Sequence, residues 1–146
     1  LTPEVKALIV NLGGNDLLRG IDPAASRANL DGILSGAKAH GLPVLLVAQN
    51  APGNYGADYK TAFDAIYPEL AAQYGAMLTQ NYFLPLIDTA TGLPKPAYMQ
   101  PDATHPNAQG VALILDALGP QVLQLLAQLP HWSPLHAGPL RAWWRR

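Results

Sequence analysis

Two short clusters hold the side chains best suited, by type and spacing, to do chemistry. The first is Asp102-Ala103-Thr104-His105-Pro106-Asn107. An aspartate and a histidine at this separation can meet within one turn. If the carboxylate accepts the Nδ1 proton, the imidazole tautomer is fixed and Nε2 is free to act as a general base. His105 is then the candidate base and Asp102 its orienting partner. The same residues also read as capping chemistry, with Asp102 or Asn107 terminating loop backbone and His105 exposed beside it. The second cluster is Gly13-Gly14-Asn15-Asp16, directly after an apolar run. Glycines allow the backbone to turn sharply, and Asn15 can present a neutral NH2 donor of the kind a developing oxyanion requires. Gly-Gly-Asn-Asp is equally good turn chemistry. It does not match the G-x-G-x-x-G spacing of a dinucleotide loop.

The remaining reactive residue types narrow the chemistry. The absence of cysteine removes disulfides, thiolate metal sites and a thiol nucleophile. His40 sits just before Gly41, where a histidine complements a helix C-terminus. His131 and His136 have no carboxylate nearby in sequence. A metal hydrolase using Asp16, Asp102 and His105 is an alternative, but no second histidine falls at a helpful spacing. A net charge of −1 with dispersed Lys and Arg offers no basic stripe for nucleic acid. Uninterrupted apolar runs stop well short of the ~20 residues of a membrane span, so neither partner is expected.

These clusters need a scaffold, and the apolar content of 49% against 13% charged residues points to a large core in one α/β domain. Val5 to Leu12 reads as a strand buried on both faces in a parallel sheet. Asp22 followed by Pro23 starts a helix that carries Leu30, Ile33, Leu34 and Ala37 on one face and stops at Gly41. Pro43 to Gln49 is a second strand, so strand, helix and strand arrive in crossover order. After the turn-rich Asn50 to Gly56, a helix from about Asp58 to Tyr74 is expected, kinked or broken at Pro68. Ala76 to Tyr82 is a weaker strand. Leu84 to Pro101, with Pro85, Pro94, Pro96 and Pro101, reads as a long loop. Asn107 to Leu129 returns to helical spacing, and Gly119-Pro120 is expected to divide it in two. Residues 130–146, rich in Pro, Trp and Arg, read as a tail on a domain spanning 1–129.

Jointly, the strand ending in Gly-Gly-Asn-Asp and the later Asp-x-x-His-Pro-Asn resemble the third and fifth conserved blocks of SGNH (GDSL) hydrolases. Leu12 to Gly20, Asn54-Tyr55-Gly56, Phe63 to Pro68 and Met99 to Asp102 resemble the bacterial multifunctional thioesterase, lysophospholipase and arylesterase branch. The resemblance implies a three-layer α/β/α fold of flavodoxin-like type, hydrolysis of ester or thioester substrates without a cofactor, and a periplasmic or secreted location. It also implies the roles of oxyanion donor for Asn15, base for His105 and orienting acid for Asp102, with Asn15 and His105 converging in space. Gly14, Asn54 and Tyr55 are then the candidate substrate contacts, because both loops leave carboxyl ends of parallel strands.

One departure is decisive. The family's nucleophile lies in an upstream Gly-Asp-Ser block, yet the serines here are Ser26, Ser35 and Ser133, none of which follows Gly-Asp. The nucleophile is expected in an N-terminal segment outside this chain, which would also supply a strand beside Val5 to Leu12. The chain alone is expected to be inactive. The competing reading is a non-catalytic remnant that binds a partner through its sheet edge and Trp-rich tail.

Overall fold

A computed structural model of the chain describes residues 1–130 together with 132 and 133. These fall into two compact units, one spanning Leu1–Asn81 and one beginning at Tyr82.

The first unit is built on three parallel strands, β1 (Leu8–Val10), β2 (Val44–Val47) and β3 (Met77–Thr79), in that spatial order. Leu8 pairs with Val44, and Leu45 with Met77. All of β2 is buried, as a central parallel strand requires. Between β1 and β2 come α1 (Gly14–Arg19) and α2 (Pro23–Ala39), and α3 (Ala57–Tyr74) leads into β3. Val10, Val44 and Leu46 share a core with Leu30 and Leu34 of α2 and with Phe63, Ile66, Tyr67 and Leu70 of α3. Each large side chain buried this fully contributes about 1.5–3 kcal/mol relative to exposure. Asp22 caps α2 by accepting from Ala24 N at 2.9 Å, and Pro23 occupies its first turn.

Three expectations need correction here. The strand predicted over Val5 to Leu12 is paired only at Leu8–Val10. The Gly-Gly-Asn-Asp segment is not simply a loop, because from Gly14 it winds into the six-residue helix α1. Of the two outcomes expected at Pro68, the break does not occur: α3 runs on through it, carrying buried Phe63, Ile66, Tyr67, Leu70 and Ala71 on both sides. That packing outweighs the one hydrogen bond proline removes.

In the second unit the expected long loop is organised. Ile87 bridges Pro94 and Met99 bridges Pro106, both antiparallel, and short 3-10 turns cover Leu84–Leu86 and Pro96–Tyr98. Leu86 and Met99 are buried. The final helix, α4 (Ala108–Leu126), is continuous through Gly119-Pro120 rather than divided. Pro120 frees the carbonyl of Asp116, an exposed position where water can satisfy it. Because α4 is unbroken it reaches a length and apolar composition sufficient to cross a membrane, which two shorter helices would not. Only Gly110 and Leu125 of α4 are buried, and Gln109, Asp116 and Gln124 stand exposed along it.

Candidate active site

Asp102 and His105 meet within one turn of the second unit. The imidazole Nδ1 lies 2.7 Å from Oδ2 of Asp102. The other carboxylate oxygen, Oδ1, accepts from the backbone N–H groups of Thr104 and His105, each at 3.0 Å. Three donors therefore converge on one carboxylate. The His105 amide, the His105 ring and the Thr104 amide, in that order, hold the Asp102 pKa down to about 2. Asp102 is thus an ionised acceptor at any ordinary pH. A proton on Nδ1 is donated to it, which leaves the Nε2 lone pair outward on a side chain 69% exposed.

The turn is geometrically demanding. Ala103, between the two residues, has φ +54°, the only positive φ of a non-glycine among the described residues. Around it, Gln100 N donates to His105 O at 2.8 Å and Gln100 Nε2 to Pro106 O at 3.0 Å. Asn107 closes the loop onto α4. Its Oδ1 accepts from Gly110 N, while Nδ2 donates to the carbonyls of Ala97 and Met99. A Cβ at Gly110 would run into the Tyr98 carbonyl, so this close approach requires glycine. The segment therefore contains both a helix cap and an Asp–His contact: Asn107 accepts from Gly110 N, and Asp102 lies against the His105 ring.

Asn15 belongs to the first unit, at the second position of α1, and is exposed. Gly13 precedes the helix at φ +104°, a conformation that favours glycine. A Cβ there would also collide with the hydroxyl of Tyr67. Gly14, by contrast, is ordinary helical backbone, with Gln49 Oε1 at 3.8 Å from the nearest possible Cβ. Tyr67 is wholly buried and donates to Leu12 O at 2.9 Å. Burial, and secondarily the nearby Asp16 charge, push its hydroxyl pKa far above the usual tyrosine value, so it remains a donor. Asp16, considered above as a metal ligand, accepts from Ser26 Oγ at 2.9 Å.

The Asn54-Tyr55 pair lies in a 3-10 turn over Gly53–Tyr55. Tyr55 donates to Leu18 O at 3.3 Å, packs where a Cβ on Gly20 would stand, and lies 5.0 Å from the Tyr59 ring. Lys60 ties the preceding segment down by donating to Ala51 O and Asp64, each at 2.7 Å. Asp64 in turn accepts from Ala51 N. The loop called turn-rich is accordingly braced. Of the serines, Ser26 is wholly buried and Ser35 exposed on α2. His40 ends α2, with Nδ1 2.8 Å from Gly36 O. His131, His136 and the Trp143-Trp144-Arg145-Arg146 end lie outside the described residues.

Tyr67 was missed by the sequence reading. Its signal was there: a tyrosine on the buried stripe Phe63, Ile66, Leu70 must find a partner for its hydroxyl.

The chain is 39% identical over 119 residues to "Thioesterase 1/protease 1/lysophospholipase L1" of Escherichia coli strain K12, covering 82% of this chain and 54% of that protein. It therefore spans about half the length of that relative. The crystal structure of AlinE4, described as an SGNH-hydrolase family esterase, matches with TM-score 0.62 and 40% identity over 86% of this chain and 64% of that one. The psychrotrophic esterase EstA from Pseudoalteromonas sp. matches with TM-score 0.75 and 26% identity, covering 86% and 66%. These structures share the flavodoxin-like SGNH hydrolase fold with the chain. Residues 1–113 match the GDSL-like Lipase/Acylhydrolase family. With most of its length matching that family, the chain belongs to the GDSL-like lipases and acylhydrolases.

Proposed function

We propose that this chain is the C-terminal portion of a serine esterase or thioesterase acting on small or lipid-like acyl esters, with its nucleophilic serine on an upstream segment outside the chain. The observation that carries the reading is the 2.7 Å contact between His105 Nδ1 and an Asp102 carboxylate already fixed by two backbone amides. In the assembled enzyme the serine Oγ attacks the acyl carbonyl while His105 Nε2 accepts its proton. The side-chain amide of Asn15 donates to the tetrahedral oxyanion. Collapse expels the alcohol or thiol, which takes the proton from His105. Water then attacks the acyl-enzyme with His105 again as base and regenerates the serine. Gly14, Asn54 and Tyr55 border the acyl group, and the enzyme needs no cofactor.

Packing supports the upstream segment. Among the described residues β1 pairs with β2 alone, and Ile9 on it and Leu12 just past its end are 49% and 51% exposed. An open apolar edge is an association hazard that one further strand removes. The same edge would serve the alternative, a partner-binding remnant. The test is p-nitrophenyl ester hydrolysis, in buffer with EDTA, by the full-length gene product, its His105→Ala variant and this chain alone. Loss of a triad serine costs about 2 × 10⁶ in subtilisin, so the chain alone should be inactive and His105→Ala severely impaired. Equal rates for full-length protein and His105→Ala would dismiss the base. Loss of activity in EDTA would favour the metal reading, and an inactive full-length protein the remnant.

A further inference from the structure

Four side chains from α2, α3 and the turn before α3 hydrogen-bond the short segment that carries Asn15. Tyr67 donates to the Leu12 carbonyl and Ser26 to the Asp16 carboxylate, each at 2.9 Å. Tyr55 reaches the Leu18 carbonyl at 3.3 Å and Tyr59 the Ile21 carbonyl at 3.0 Å. A helix as short as α1 has no stability of its own in water, since nucleation is unfavourable and few bonds follow it. Its conformation is therefore imposed by these contacts. Two of the four differ from the rest. Tyr67 and Ser26 are both wholly buried, and their hydroxyls bracket Asn15 at Leu12 and Asp16. Tyr67 also fills the space above Gly13, so the chain can leave β1 along only one path.

We infer that Tyr67 and Ser26 are positioning residues that set the direction of the Asn15 amide, Tyr67 through the Leu12 carbonyl and Gly13, Ser26 through the Asp16 carboxylate. The inference rests on the assignment of Asn15 as oxyanion donor. Neither residue needs to touch substrate. A donor held from two sides reaches the oxyanion without reorganising, and this preorganisation gives such donors their effect. A hydroxyl that served only to satisfy the core would alter stability and leave the chemical step alone.

The experiment is a set of double-mutant cycles in the full-length protein: Tyr67→Phe, Ser26→Ala and Asn15→Ala, singly and with each of the first two combined with the third. kcat and KM are measured with a p-nitrophenyl ester, and melting temperature is followed in parallel. Removing an oxyanion donor costs about 10²–10³ in kcat, which is the drop expected for Asn15→Ala. Tyr67→Phe and Ser26→Ala should each lower kcat by about 10-fold or more within that ceiling, with KM within about two-fold. In the Asn15→Ala background both should have almost no further effect, because residues acting through one donor are non-additive. Undiminished kcat in Tyr67→Phe and Ser26→Ala, or effects that multiply with that of Asn15→Ala, would overturn the inference while leaving the donor assignment intact. Undiminished kcat in Asn15→Ala would instead overturn the assignment itself. If either variant folds poorly, the other carries the test, since the two hydroxyls come from different helices.

Discussion

Adjacent glycines in the Gly13-Gly14 pair should respond oppositely to the same substitution. At Gly13, φ is +104° and a Cβ would run into the Tyr67 hydroxyl. The left-handed conformation alone costs an alanine about 1–2 kcal/mol. Tyr67 is wholly buried and cannot swing clear, so it must also surrender its 2.9 Å bond to Leu12, worth a further 0.5–1.5 kcal/mol or about that. Gly13→Ala should therefore destabilise by about 1.5–3.5 kcal/mol. At Gly14 the backbone is helical and the nearest atom to a new Cβ is 3.8 Å away. Gly14→Ala should stabilise by about 0.4–1 kcal/mol, largely by restricting the unfolded chain. Urea unfolding of both variants in one parent protein measures the difference as a shift in midpoint at constant m-value. The combination Gly13→Ala with Tyr67→Phe removes the collision and should lose less than the sum of the single effects. A Gly13→Ala cost below about 0.5 kcal/mol, the spread of inert surface changes, would refute the reasoning, as would equal losses at the two positions.

Other consequences concern the histidine turn. Ala103→Gly removes the penalty of φ +54° and should raise stability by up to about 1 kcal/mol in chemical denaturation, after the greater unfolded-state entropy of glycine is subtracted. The Asp102 pKa lies below its free value of 3.8, at about 2. Its contribution to stability is therefore complete above the free value and is lost as pH falls through about 2. The Asp102 carboxyl carbon followed by NMR should titrate at that low pH and stay flat from mildly acidic to neutral conditions. Asn107→Ala should cost about 1–2 kcal/mol by removing the cap of α4. Asn107→Asp should fall between, since it keeps an acceptor for Gly110 N but loses the donors to Ala97 and Met99. Thermal unfolding ranks the three.

What the sequence determined by itself was local in origin. Asp22-Pro23 placed the start of α2, the apolar run through Pro43 to Gln49 located β2, and the spacing of Asp102 and His105 predicted a contact that forms within one turn. Each depends on chemistry inside a few residues, so the chain need not be folded to read it. The tertiary structure decided what propensity left open or called wrongly. Pro120 was expected to end a helix that in fact continues, and Gly13 to Asp16 to be a loop that the surrounding side chains wind into α1. The partners that impose this are remote: Tyr67 reaches Leu12 across 55 residues, and Ser26 reaches Asp16 from another helix. Periodicity marks Tyr67 as buried but cannot say which carbonyl its hydroxyl will meet. That choice depends on how α3 packs beside the end of β1, where the collision with a side chain leaves position 13 to glycine.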